Sequence, residues 1–140
     1  MTEAHLTEDD LELLRRPLHG FLTVAAGALP PQPRPVWFEL TDDGTVQLFT
    51  IPESLKVRQL RRDPRASLVV ASPVGERERW VSVAGRTTIE PEGARNLCAR
   101  LGARYWDLSI PAHAEELEQM LAMDWVRLVI HPEKVHRYQL

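Results

Sequence analysis

The side chains best suited to chemistry lie in Thr50-Ile51-Pro52-Glu53-Ser54-Leu55-Lys56-Val57-Arg58-Gln59-Leu60-Arg61-Arg62-Asp63-Pro64-Arg65, and the chemistry they suit is the holding of an anion. An apolar strand runs there through a hydroxyl-bearing turn into a short basic helix. Ser54 stands at the N-cap, and Lys56 falls in the first turn, where free backbone N–H groups and the positive end of the helix dipole favour a phosphate. A cation at that end opposes the dipole. An anion bound in front of it converts a local penalty into a charge-assisted contact. The same segment also fits a plainer role, with Arg58, Arg61, Arg62 and Arg65 on the solvated face of a surface helix and Leu55, Val57 and Leu60 on its buried side. Only the rest of the chain distinguishes the two.

No other cluster competes for a reaction centre. Ser67, Ser72, Ser82 and Ser109 lie in expected strands or loops without a histidine partner, so no residue is nominated as catalytic. His5, His19, His113, His131 and His136 lack metal-ligand spacing, and no metal is expected. Glycine-rich phosphate fingerprints of the dinucleotide or P-loop kind are absent.

With 140 residues the chain suits a single domain over 1–140, able to bury a core without disulfides. Its one cysteine, Cys98, reads as a small apolar helix residue, which fits a reducing compartment. Residues 1–5 show no basic, then apolar, leader, and no apolar run reaches membrane-span length; a cytoplasmic protein without a membrane partner is expected. A formal charge of −3 argues against nucleic acid as a partner, so the basic segment is matched to something small.

The elements that must position this segment follow from periodicity and punctuation. Thr7 caps a helix carrying Leu11, Leu14 and Leu18, expected to pack across a barrel mouth. Strands are expected over 20–25, 34–40, 46–50, 66–71, 80–89 and 125–130, the last halted by His131-Pro132. The run 66–71 is apolar enough to be covered on both faces, and Gly85 marks a bulge or bend. Helices are expected over 92–104 and 114–122. The proline-rich stretch 27–33 should run as a stiff extended loop overhanging a site. No βαβ alternation, repeat or linker interrupts this order, which predicts a mostly β protein with peripheral helices: a small, six-stranded antiparallel barrel.

With strand, turn and helix in place, the chain resembles the pyridoxamine 5′-phosphate oxidase-like family of split β-barrel FMN-binding proteins. The resemblance rests on Pro35-Val36-Trp37-Phe38, Asp43-Gly44, Phe49-Thr50, Ser54-Leu55-Lys56 and Leu60-Arg61-Arg62-Asp63-Pro64-Arg65-Ala66-Ser67-Leu68, and more weakly on residues 129–135. It implies a homodimer with a flavin between subunits. Lys56 and Ser54 would hold the phosphate with help from Arg34; Val36, Trp37 and Phe38 would border the ring through backbone groups. Thr50 and Ile51 would lie along ring and ribityl chain, and Trp80 would reach in from the second subunit. The departures are specific. Leu55-Lys56 stands where the oxidases carry Arg-Lys, Glu39 stands where a second phosphate lysine is expected, and His136-Arg137-Tyr138 does not reproduce their C-terminal Arg-x-His. The resemblance is therefore closer to the small flavin or deazaflavin reductases. It implies an FMN-dependent oxidoreductase acting on a small molecule, with an F-420-type deazaflavin reductase and a non-catalytic, stress-related flavin-binding dimer as the alternatives.

Overall fold

The computed structural model describes residues 5–139. Residues 1–4, on which most of the expectation about a leader rests, and Leu140 lie outside them. The chain forms helix α1 (Glu8–Leu14), strands β1 (Gly20–Val24), β2 (Arg34–Val36), β3 (Glu39–Leu40) and β4 (Val46–Thr50), helix α2 (Leu55–Arg62), strands β5 (Arg65–Ala71) and β6 (Arg79–Glu90), helices α3 (Ala94–Tyr105) and α4 (Pro111–Leu121), and strand β7 (Val126–Gln139). Among the described residues no helix is long and apolar enough to cross a membrane.

All strands pair antiparallel in one sheet of order β2-β1-β5-β6-β7-β4-β3. Its two edge strands are successive in the chain, separated only by Trp37 and Phe38. Laid flat, six inter-strand gaps of about 4.8 Å would set those edges roughly 29 Å apart, whereas three residue steps span at most about 11 Å. The sheet must therefore curl until its edges nearly meet. The fold is the mostly β split barrel expected, with seven strands in place of six. The extra strand arises because the stretch 34–40 does not run straight: it pairs with β1 up to Val36, crosses the seam, and pairs with β4 from Glu39. Pro35, which has no N–H to give a second neighbour, is tolerated because β2 is an edge.

The barrel interior is filled by Leu22, Leu48, Leu68, Val70, Val83 and Leu128, with Leu13 and Leu14 of α1 and Val57 and Leu60 of α2 plugging it. Phe38 is fully buried at the seam. Strand β5 alternates, with Ala66, Leu68 and Val70 buried and Ser67 and Val69 only half-buried, so the expectation of cover on both faces is corrected.

The expected end at His131-Pro132 is also corrected, because β7 continues to Gln139. The register with β6 shifts between Ala84 and Gly85, which face Lys134 and Pro132 respectively, leaving Glu133 as the additional residue. This bulge accommodates a proline that an unbroken ladder would reject. Gly85 is required there, since a Cβ would collide with the His131 carbonyl oxygen.

Two arginines hold α1 in place, one from a neighbouring helix and one from a barrel strand. Arg104 of α3 donates to the carbonyls of Leu14, Arg15 and Arg16 at 3.1, 2.8 and 2.6 Å, capping the C-terminal end of α1, whose last turn carries no basic residue. Arg137 of β7 donates to Asp10, which also closes a capping box with Thr7. Burial alone would raise the Asp10 carboxyl, but Arg137 and Thr7 hold it below its ordinary value. The stability this gives is present above the unfolded-state carboxylate pKa and is lost as pH falls through the lower folded value. Asp10→Asn should cost about 1–2 kcal/mol at neutral pH, less than a fully buried pair because Arg137 is partly solvated. Urea titrations across the acid range should show a flatter decline for the variant than for the wild type.

The seam has its own fastener. The Tyr105 hydroxyl donates to the Leu18 carbonyl at 2.8 Å and lies 3.3 Å from both the N–H and the carbonyl oxygen of Phe38, the residue that belongs to neither edge strand. Tyr105→Phe keeps the ring and removes only these bonds. It should destabilise the fold by about 1–2 kcal/mol in chemical denaturation, the cost of backbone groups left unpaired.

Candidate functional site

The segment that opened the sequence analysis faces a cavity of about 540 Å3 between the end of β1, strand β2, the proline-rich loop and the start of α2. That size lies within the range of small-molecule sites. The loop does overhang it, through Leu29, Pro30 and Gln32. Ser54 is the N-cap of α2: its Oγ accepts from the Val57 N–H at 3.3 Å, and its own hydroxyl proton has no acceptor among the described residues. Leu55 turns into this cavity at 59% exposure, so the expectation that it joins the buried side of the helix is corrected; Val57 and Leu60 fill that role.

Lys56 and Arg34 line the same cavity from α2 and β2. The Lys56 amine is held below the ordinary lysine range, chiefly by burial and then by the positive charge of Arg34. Among the described residues neither has a carboxylate within ion-pair distance; the one hydrogen bond from Arg34 runs to Gln32 Oε1 at 2.7 Å. Two cations, a free hydroxyl and the open end of a helix thus converge without a counter-ion. An isolated protein gains nothing from such repulsion, and a dianion relieves it.

A second cavity, of about 390 Å3, adjoins the first at Pro35, which lines both. It lies over the outer side of the seam, where Val36 and Trp37 meet Phe49, Trp106 and Met120. The expected site residues therefore fall into groups. Arg34, Ser54 and Lys56 share the first cavity; Val36 and Trp37 line the second. Thr50 is buried at the end of β4, and Ile51 follows it with 40% exposure. The Phe38 side chain faces the core, and its backbone groups are engaged by Tyr105. Trp80 lines neither cavity; it stacks on Tyr138 on the open surface with ring centroids 6.4 Å apart.

Glu39, standing where a phosphate lysine was expected, is occupied elsewhere. Its carboxylate accepts from Arg100 of α3 at 2.9 Å and from Gln47 at 2.6 Å. Burial would raise its pKa, and these donors hold it below the ordinary value instead. It lines neither cavity, so its charge is neutralised in docking α3.

Sequence reasoning missed Gln32 and Gln59 in the first cavity and His19, Phe49, Glu116 and Met120 in the second. The proline-rich loop was the available signal for Gln32. Gln59, one turn beyond Lys56 on α2, and Phe49, just before Thr50 on β4, adjoin expected site residues; nothing local marks His19, Glu116 and Met120, which come from the approach to β1 and from α4. Among the described residues no group of three or more His, Cys, Asp or Glu converges as a metal site. Cys98 is buried within α3, and burial pushes its thiol up.

The family model for pyridoxamine 5′-phosphate oxidase matches residues 6–137. The chain belongs to that family. Among solved structures, an F420 reductase is 23% identical with a TM-score of 0.72, the match covering 94% of this chain and 98% of that one. A FAD-binding protein from Mesorhizobium loti is 22% identical with a TM-score of 0.63, covering 94% of each chain. General stress protein 26 from Bacillus anthracis is 16% identical with a TM-score of 0.61, covering 92% and 94%. At these identities the likeness is one of fold. No curated protein matches the chain by sequence.

The pairing of Arg34 with Lys56 has a measurable cost. Below its lowered folded-state pKa Lys56 is charged in a half-buried place, which destabilises the fold; the penalty is relieved as pH rises through that value and is gone above the unfolded-state value. Without any ligand, Lys56→Met should raise the melting temperature at neutral pH by roughly a few degrees, and the gap from wild type should close as pH becomes alkaline. Thermal melts across that range check both signs.

Proposed function

We propose that the chain is an FMN-binding oxidoreductase of the pyridoxamine 5′-phosphate oxidase family, acting as a homodimer on a small molecule. The observation that carries this reading is the convergence of Arg34 and Lys56, without a carboxylate, on the cavity capped by Ser54. A flavin phosphate bears about −1.5 to −2 charges at neutral pH, the sign and magnitude that this cluster lacks. When bound, the flavin supplies the hydride and electron chemistry, which accords with the lack of a paired nucleophile and base among the described residues.

The residues divide the work by position. Lys56, Arg34, the Ser54 hydroxyl and the first-turn N–H groups of α2 hold the anionic end. Val36 and Trp37, next along the chain from Pro35, would border the ring through their backbone groups, and Thr50 and Ile51 would lie along the ring and ribityl chain. Leu55 in place of a second basic residue leaves fewer phosphate contacts, so affinity rests heavily on Lys56. Homodimer formation is supported by exposed apolar side chains, Phe21 at 44%, Trp80 at 36% and Tyr138 at 44%; Trp80 in this reading completes the partner's site.

The alternative coenzyme is a deazaflavin of the F-420 type. The specific support is the row of Arg58, Arg61 and Arg62 on the exposed face of α2, none of them in an ion pair among the described residues, which suits a longer acidic tail.

Absorbance and fluorescence titration of purified protein with each coenzyme tests the proposal. Saturable binding of FMN is expected, weakened roughly 10- to 100-fold in Lys56→Ala, the worth of a charge-assisted hydrogen bond. Equal affinity in wild type and variant would remove the lysine from the site, and saturable binding of the deazaflavin alone would reassign the coenzyme. A holoprotein that binds tightly yet is reduced by no nicotinamide or deazaflavin donor would leave the binding role without catalysis.

A further inference from the structure

The cavity outside the seam is built as an aromatic slot with one carboxylate, and both its walls are locked from behind. Trp37 is stacked on Tyr105, with centroids 5.2 Å apart and planes within 2°, and the Tyr105 hydroxyl is anchored to backbone. Trp106 meets Trp37 edge-on at 4.8 Å and is backed by the His113 ring at 5.1 Å. Phe49, also on the lining, is held edge-on by Trp125 at 4.8 Å, and the Trp125 indole N–H donates to the Met120 carbonyl at 2.7 Å. These rings are fixed before any ligand arrives, so little rotamer entropy is left to lose on binding. Met120 lines the slot with an adaptable thioether.

The polar part of the lining is small and has a definite sign. Glu116 of α4 is the one acidic residue on the slot, and among the described residues it makes no ion pair. His19 is the other titratable group facing it. Aromatic faces present negative quadrupole to a bound molecule, and a carboxylate at the rim adds to that potential, so the combination selects an organic cation. A volume of about 390 Å3 compares with about 150 Å3 for a cavity that takes benzene, leaving room for two or three fused rings.

We propose that this slot binds a planar aromatic cation, held against the Trp37–Trp106 pair and Phe49 with its charge toward Glu116. The first cavity and this one then differ in sign: cationic beneath the coenzyme's anionic end, anionic beyond the seam. That the bound cation is the oxidoreductase's substrate rests on the coenzyme reading above; the binding itself does not.

Quenching of tryptophan fluorescence in coenzyme-free protein measures it with three tricyclic probes of matched shape: N-methylacridinium, uncharged acridine at mildly alkaline pH, and acridine-9-carboxylate. N-methylacridinium should bind at least about tenfold more tightly than acridine, and the carboxylate more weakly still. Glu116→Gln, an isosteric change on an exposed helix face, should reduce the cation's advantage to under about threefold while leaving acridine's affinity unchanged. Trp106→Ala should weaken both by about tenfold or more. Lys56→Ala should change neither, so a failed coenzyme reading and a failed slot reading are separable. Equal affinity of cation and neutral probe, a preference that survives Glu116→Gln, or loss of binding in Lys56→Ala would each overturn the assignment.

Discussion

The two-residue crossing at Trp37-Phe38 is the constraint on which the remainder of the molecule depends. It obliges the outermost strands of a seven-stranded sheet to lie side by side, and it does so covalently. The strand ladders do not reach Phe38, which sits in neither edge strand; its backbone groups are hydrogen-bonded instead by a side chain, the Tyr105 hydroxyl. Arg104, one residue earlier, lies over the Phe38 and Tyr105 rings at 5.6 and 5.5 Å while holding the end of α1. One turn of α3 therefore fastens the barrel seam and the plugging helix together.

Both cavities are products of that closure. The seam residues form a ridge, with Pro35 touching each side: the basic cavity lies toward β1 and α2, the aromatic one toward α3 and α4. The division places charge-bearing groups on short, rigid elements and large rings on a hairpin packed over them. Close approach of the hairpin helices is allowed by Gly102, where a Cβ would press within 2.6 Å of the Leu117 side chain. The basic side accepts a destabilising pair of like charges, a cost that fits the anion site proposed for it.

Ser54 and Lys56 were legible because their relation is local: an N-cap and a first-turn residue keep their geometry wherever the helix is put. Arg34 was legible only through resemblance, since its meeting with Lys56 depends on β2 lying beside the start of α2. The reading failed where tertiary structure overrides local grammar. An apolar run from 34 to 40 reads as one strand, yet barrel closure splits it between opposite edges. His131-Pro132 reads as a stop, yet a bulge opposite Gly85 absorbs the proline. The second cavity was nearly invisible because His19, Trp37, Phe49, Trp106 and Glu116 come from separate elements with no shared spacing. They meet only where the α3–α4 hairpin, β4, the seam and the approach to β1 come together.

The long run of β7 beyond the bulge brings Arg137 to Asp10 and to the His5 carbonyl, at 2.8 and 2.7 Å. The first and last described segments consequently sit together. A short peptide bridging these two segments would span little distance, so new termini opened in the Asp42-Asp43-Gly44 turn, which lines neither the basic nor the aromatic cavity, give a circularly permuted form of the same barrel.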